Sequence, residues 1–323
     1  HAENEIRELA DLMQIPVITT MMGISVFPDD DQLFCGMIGT HGVKMANAAV
    51  NECDVLFLVG ARVGDRAVKT PLALEKTTKI IHIDIDPAEI GKNIGADLPL
   101  VGDAKLVLQQ MTELAKPMKH DEWIAHIKTL GGERKYVEPA TGTVNPRVFI
   151  DRLAKKMLAN VTVVADVGQN QIWTCTEYKF RKEGRLLTSG GMGTMGYSVP
   201  AAIGAKMADN SRATVAICGD GAFQMSFMEL ATAVQFGVDI KVVVMTNNRL
   251  GMVRELQTNG YHDRQTAVFL DGSPDFIKLA EAYGIPAMRV YDDDTMDKGI
   301  EMLAEHKGIC LVEVVVDKDM PTL

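Results

Sequence analysis

No apolar run in the 323-residue sequence approaches the roughly 18 residues that a membrane span requires, so no spanning helix is expected. Positive charge is also scarce. Against 43 Asp and Glu stand 33 Lys and Arg, a net charge of −10 that repels a phosphate backbone and argues against nucleic acid as a partner. The one dense basic stretch, KFRKEGR at 179–185, is expected to be a solvated helix end. Cysteine is sparse and scattered: Cys35, Cys53, Cys175, Cys218 and Cys310 form no CxxC pair and no Cys/His group at zinc spacing. They predict buried thiols in a reducing, cytoplasmic setting. The seven histidines are equally dispersed, without HExxH or a triad-like motif, which excludes a zinc hydrolase. The opening residues, HAENEIRELADLM, have helical spacing and lack the basic and apolar regions of a signal peptide.

What is present is the composition of an ordinary globular protein, 47% hydrophobic and 24% charged, at a length that suggests two domains. Up to residue 116, short β-branched runs (PVITT, DVLFLVGAR, TKIIHIDIDP) alternate with amphipathic stretches (EIRELADLM, VKMANAAVNE). From 117 to 145 the chain turns polar and irregular, which predicts a linker. From 146 to 323 the rhythm resumes, with strands expected in VTVVADVG, ATVAICGDG, KVVVMTNN and GICLVEVVVD. Helices are expected between them, in PRVFIDRLAKKML, VPAAIGAKMA, FMELATAVQFG and PDFIKLAEAYG. The alternation predicts an α/β protein of two open parallel-sheet domains in tandem.

Two motifs stand at the ends of apolar runs. Gly219-Asp220-Gly221 ends one run, and Asn247-Asn248 ends the next, 27 residues further on across one helix and one strand. In parallel α/β sheets ligands collect outside the carboxyl ends of strands, so both motifs face one edge. The flanking glycines let the backbone approach a ligand, and the helix that follows offers N–H groups to an anion. A carboxylate and an amide oxygen are hard donors suited to Mg²⁺, which is commonly completed by phosphate oxygens and water. The pair therefore suggests Mg²⁺ bridging the protein to a diphosphate. Either motif alone reads more readily as a turn.

With their neighbours TSGGMGTMGYSVPAAIGA, DVGQNQIW and NNRLGMV, these motifs resemble the diphosphate-binding domain of thiamine diphosphate enzymes, and in particular the acetolactate synthase (acetohydroxyacid synthase) large subunits. TTMMGISVFP, CGMIGTHGVKMAN, VGARVGDR, HIDIDPAEIGKN and VGDA are similar to that family's central domain, FAD-binding in its biosynthetic members. The resemblance implies Asp220, Asn247 (with Asn248 as the alternative) and the carbonyl of Arg249 as Mg²⁺ ligands. It implies Gly168, Gln169, Asn170, Gly219, Gly221, Ala222 and Phe223 around the diphosphate. Gly193 and Met195 would hold the aminopyrimidine, although Met195 taken alone reads equally as core packing. For FAD it implies Met37, His41, Gly60, Ala61, Arg62, Asp65, Arg66, Asp84, Ile85, Asp103 and Ala104, with His41 reading as readily as a loop histidine. Val63-Gly64-Asp65 departs from the family's usual Phe-Asp-Asp, which removes one acidic contact.

For substrates the resemblance implies pyruvate and a second 2-keto acid, pyruvate or 2-ketobutyrate, joined in branched-chain amino acid biosynthesis. Met252 and Leu256 would border the acceptor. Leu256 stands where many relatives have Trp, which predicts a weaker preference for 2-ketobutyrate. The family's catalytic glutamate lies in a pyrimidine-binding domain that nothing here resembles. No catalytic residue is therefore assigned, and the chain is expected to be a fragment that is inactive alone. A homodimer or tetramer and a regulatory small subunit are the implied partners. The rival expectations are a thiamine-dependent oxidase or decarboxylase, and a non-catalytic cofactor-binding or dimerisation fragment.

Overall fold

The computed structural model describes residues 1–132, 136–181 and 183–323. Residues 133–135 of the expected linker and Lys182 of the basic stretch lie outside the described residues. The chain divides into two compact units, His1–Arg134 and Lys135–Leu323.

In chain order the first unit contains α1 (Glu3–Met13), β1 (Val17–Thr19), β2 (Phe34–Met37), α2 (Lys44–Glu52), β3 (Val55–Val59), α3 (Pro71–Leu74), β4 (Lys79–Asp84), β5 (Leu98–Val101), α4 (Ala104–Leu114) and α5 (Asp121–Thr129). Its strands form two parallel sheets, β1-β2 and β3-β4-β5. The pleat of β4 divides its neighbours: Ile80 packs with Val50, Leu58 and Ile94, and Ile83 with Leu9 and Leu108. The boundary between the units falls inside the expected linker, 117–145, and the stretch also carries regular structure. It contains α5, which packs on α2 and buries Ile127 beside Cys35 and Ala49. The apolar face of α5 is only Trp123, Ile124 and Ile127, set among charges, which is why the sequence looked irregular there.

The second unit continues with α6 (Pro146–Lys156), β6 (Val161–Ala165), α7 (Gln169–Glu177), β7 (Arg185–Thr188), α8 (Ser198–Ala208), β8 (Ala213–Gly219), α9 (Asp220–Gln224), α10 (Leu230–Gln235), β9 (Lys241–Thr246), α11 (Gly251–Gly260), α12 (Phe276–Ala282), β10 (Ala287–Val290), α13 (Asp293–Glu305) and β11 (Cys310–Val315). Six parallel strands lie in the order β10-β11-β9-β8-β6-β7. The interior strands VTVVA, ATVAICG, KVVVMT and CLVEVV are almost wholly buried, as β-branched runs covered on both faces must be. Helix starts carry their own signals. Asn145 caps α6 by accepting from the Arg147 and Val148 N–H groups, and Asp292 forms a capping box with Thr295 on α13.

The strand order positions the site. From β6 the chain crosses to β7 on one side, then returns to place β8 on the other side of β6. This reversal opens a crevice between the carboxyl ends of β6 and β8, the place where open parallel sheets bind ligands. In register, Ala165 pairs with Ile217 and Gly219 with Met245. The segments after these strands, 166–170, 220–223 and 247–251, therefore meet at one edge.

Candidate functional site

Asp220 is the charged centre of that edge. It is 2% exposed, and one carboxylate oxygen accepts the N–H groups of Asn247 (3.1 Å) and Asn248 (2.6 Å) while the other accepts that of Gly221 (2.7 Å). Burial pushes its pKa up to about 6; the backbone donors pull the other way, and among the described residues no cationic side chain helps them. Asn247 Oδ1 accepts the Arg249 N–H at 3.0 Å, and Asn247 Nδ2 donates to Gln169 Oε1 at 3.1 Å. Its neighbour Asn248 has a left-handed backbone, φ 54°, which Asn tolerates, and its carbonyl accepts from Leu270 N–H. Arg249 stacks over Phe269, its guanidinium carbon 4.7 Å from the ring centre, and pairs with Asp271 at 2.9 Å.

No three His, Cys, Asp or Glu side chains come together in a metal-binding group among the described residues. A cation here would rest on one carboxylate, an amide oxygen, a backbone carbonyl and oxygens brought by an anion. The donor set fits Mg²⁺, which accepts such mixed oxygen shells. A buried carboxylate without a cationic partner also repels a diphosphate unless a cation lies between them.

The sequence-predicted diphosphate residues converge, with different roles. Gly168 precedes the first turn of α7 with φ 150°, and Gln169 and Asn170 start that helix. Both Asn170 side-chain hydrogens go to backbone carbonyls, of Asp166 (2.8 Å) and Ile217 (3.2 Å). Its amide thus ties β6 to β8. Ala222 and Phe223 are buried in the core, where Phe223 meets Phe276 edge-on at 5.3 Å. Gly219 and Gly221 flank Asp220. A Cβ on Gly221 would lie 2.9 Å from Leu250 Cδ2 and 3.2 Å from Met195 Cε, so both side-chain ends pack over this glycine. Met195 is half-buried against the main core, and Gly193 has φ 64°. Met252 and Leu256 lie one turn apart on α11, with Leu256 62% exposed.

Three functional side chains were missed in the sequence. Asp166, fully buried, accepts from Val167 N–H (2.9 Å), Gly196 N–H (3.0 Å) and Ser198 N–H (2.7 Å), and so fixes the end of the loop that carries Gly193 and Met195. An Asp at the end of an apolar run was the available signal. Glu255 and Thr322 had none; the Thr322 N–H donates to Glu255 Oε1 at 2.7 Å and its hydroxyl to Glu255 Oε2.

In the first unit the expected flavin residues gather at strand ends. Gly60 and Ala61 follow β3, Asp84 and Ile85 end and follow β4, and Asp103 and Ala104 follow β5, on adjacent parallel strands. Asp103 also caps α4 by accepting from the Leu106 N–H at 3.2 Å, and Asp84 Oδ1 accepts from the Asp86 N–H at 2.9 Å. The loop holding Arg62, Asp65 and Arg66 contains Val63 at φ 49°, buried, a strained setting for a β-branched residue. The Arg66 carbonyl accepts from Thr40 N–H at 2.9 Å, which brings this loop beside Met37 and His41.

Residues 166–314 match the model of the thiamine pyrophosphate enzyme C-terminal TPP binding domain, and residues 1–111 match that of the thiamine pyrophosphate enzyme central domain. The chain belongs to the thiamine pyrophosphate enzyme family. It is 40% identical over 329 aligned positions to the probable acetolactate synthase large subunit of Methanocaldococcus jannaschii, covering 98% of this chain and 55% of the relative. The acetolactate synthase large subunit of Lactococcus lactis subsp. lactis is 36% identical over 314 positions (97% and 54%), and the acetolactate synthase of Arthrospira platensis 39% over 332 (98% and 56%). The chain spans about half the length of the curated relatives it matches. No helix among the described residues is long and apolar enough to cross a membrane.

Proposed function

We propose that this chain is the cofactor-binding part of an acetolactate synthase, which decarboxylates pyruvate and joins the two-carbon unit to pyruvate or 2-ketobutyrate in branched-chain amino acid biosynthesis. One observation carries the reading: a buried carboxylate with no cationic partner among the described residues, Asp220, stands at the sheet's switch point in a chain similar almost throughout to acetolactate synthases. Asp220, the Oδ1 of Asn247 and the carbonyl of Arg249 would hold Mg²⁺. Gly168 and the first turn of α7 would face the diphosphate with backbone N–H groups. Gly193 and Met195 would support the aminopyrimidine, on a loop that Asp166 fixes. Thiamine diphosphate, when bound, supplies an acidic carbon and an electron sink for the 2-keto acid. Met252 and Leu256 would border the acceptor. The chain alone is inactive, because the family's catalytic glutamate belongs to the pyrimidine-binding domain.

FAD fits the strand ends of the first unit. Gly60 leaves open space beside the backbone, Arg62 and Arg66 offer guanidinium forks, and Asp84 and Asp103 offer carboxylates to hydroxyls. Relatives named as large subunits support a small regulatory subunit as partner, with the catalytic chains as a homodimer or tetramer. Free thiols at Cys35, Cys53, Cys175, Cys218 and Cys310 agree with a cytoplasmic setting.

The test has two parts. Thiamine diphosphate should bind this chain only with Mg²⁺, as heat in calorimetry, and Asp220→Asn should abolish it. A protein of the relatives' full length should convert pyruvate to acetolactate; free acetaldehyde or acetyl phosphate instead would make it a decarboxylase or oxidase. Flavin binding is read separately, as fluorescence quenching when FAD is titrated into the chain. Arg62→Ala should weaken that quenching.

A further inference from the structure

Asn247 presents an amide whose two ends differ chemically but scarcely in shape, so a cation site that uses its oxygen needs something to fix which end faces the cation. On one side the Arg249 N–H donates to Oδ1 at 3.0 Å. On the other, Nδ2 donates to Gln169 Oε1 at 3.1 Å. Gln169 is 4% exposed, and its own orientation is fixed in turn. Its Nε2 donates to two acceptors, the Met320 carbonyl at 2.9 Å and Thr322 Oγ1 at 3.1 Å. Thr322 must accept there, because its hydroxyl proton is given to the Glu255 carboxylate, which can only accept. Glu255 also accepts the Thr322 N–H at 2.7 Å.

The hydrogen bonds thus run in one direction, from Asn247 to Gln169 to Thr322 to Glu255, and each amide has one orientation that suits its neighbours. Reversing the Asn247 amide would set its NH₂ against the Arg249 N–H and its oxygen against Gln169 Oε1. Reversing Gln169 would set its oxygen against the Met320 carbonyl.

We infer that Gln169 is a positioning residue for the cation: its side-chain amide, oriented by Met320, Thr322 and Glu255, holds Asn247 with Oδ1 toward the metal. The inference rests on the proposed function, in that it takes Asp220 and Asn247 as the cation site. Oδ1 keeps a second lone pair beyond its bond to Arg249, and Gln169 acts on the metal only through Asn247.

The probe is Mn²⁺ binding to the full chain with thiamine diphosphate, followed by water-proton relaxation. Gln169→Met should weaken Mn²⁺ by about tenfold or more, the usual effect of losing a partner behind a metal ligand. The discriminating background is Asn247→Asp, whose carboxylate has an oxygen at both ends and needs no orientation. There an oxygen faces Gln169 Oε1 whichever way the carboxylate turns, so Gln169→Met should leave Mn²⁺ affinity unchanged or raise it, a coupling that a double-mutant cycle reads directly. An equal loss in both backgrounds would mean that Gln169 merely supports the fold, and would overturn the inference. Should Gln169→Met fail to fold, Glu255→Gln carries the same comparison: loss in the Asn247 background only supports it, and equal or no loss overturns it. Asp220→Asn separates the two levels. If it leaves Mn²⁺ affinity unchanged, the cation site itself is wrong; if it abolishes binding while Gln169→Met has no effect, only the positioning role is.

Discussion

The side-chain oxygen of Gln169 lies where Gly251 would carry a Cβ, so close that no larger residue fits while both keep their places. Gly251 opens α11, and the contact packs that helix start against the amide that holds Asn247. Gly251→Ala should therefore destabilise the second unit by about 1–3 kcal/mol, the usual range for overpacking, as read from urea unfolding. The variant that folds should also bind Mn²⁺ more weakly, because Gln169 must move. Wild-type stability would show that the two segments separate at little cost.

Asp220 couples stability to pH. Its folded value, about 6, lies above its ordinary 3.8, so its contribution is most favourable below 3.8 and declines as the pH rises toward 6. That interval corresponds to about 3 kcal/mol lost by neutral pH in the metal-free chain. A cation bound to the ionised form offsets the loss. Mg²⁺ with thiamine diphosphate should raise Tm more at about pH 7.5 than at about pH 5. Asp220→Asn should remove this dependence, and equal Tm gains at both pH values would contradict it.

Asp166 should matter to cofactor binding although it meets no ligand. Asn offers one acceptor oxygen in place of two, so Asp166→Asn leaves Gly196 or Ser198 with an unpartnered N–H, at a cost of about 1–3 kcal/mol in unfolding experiments. The freed loop carries Gly193 and Met195, so thiamine diphosphate affinity should fall as well. Lowered stability with wild-type affinity would show that the loop is held elsewhere.

Leu256 gives a specificity test in the full-length enzyme. Leu256→Trp puts a rigid ring on the exposed face of α11 and should raise preference for 2-ketobutyrate over pyruvate. The effect should be about 1–3 kcal/mol, the worth of one methylene in a shaped pocket. Competition between the two acceptors reads it from the product ratio.

The interior of the second sheet was legible because its strands are continuous β-branched runs, and the strand-end motifs followed from parallel topology. The edge strands were not. Arg185–Thr188 and Ala287–Val290 have four residues each and lie at the sheet's edges, so neither length nor burial marks them in a sequence. Helices α7 and α11 were hidden for local reasons: α7 is buried all round, so no polar face marks its period, and α11 starts on a glycine. That Asp220 and Asn247 stand at neighbouring strand ends could be read from spacing. The side-chain roles of Asn170 and Gln169 could not, since the atoms they bond come from Ile217, Met320 and Thr322, far along the chain.

That separation has a kinetic meaning. Gln169 and its acceptors at Met320 and Thr322 lie 151 and 153 residues apart, and parallel strands pair only after long crossovers close. A growing polypeptide can lay down β6, β8 and β9 with Asp220 already buried while the Gln169 amide is still free to turn. Its acceptors at Met320 and Thr322 come later in the chain than all of these strands. A chain cut before Met320 would therefore keep every strand of this sheet and lose both acceptors of the Gln169 amide.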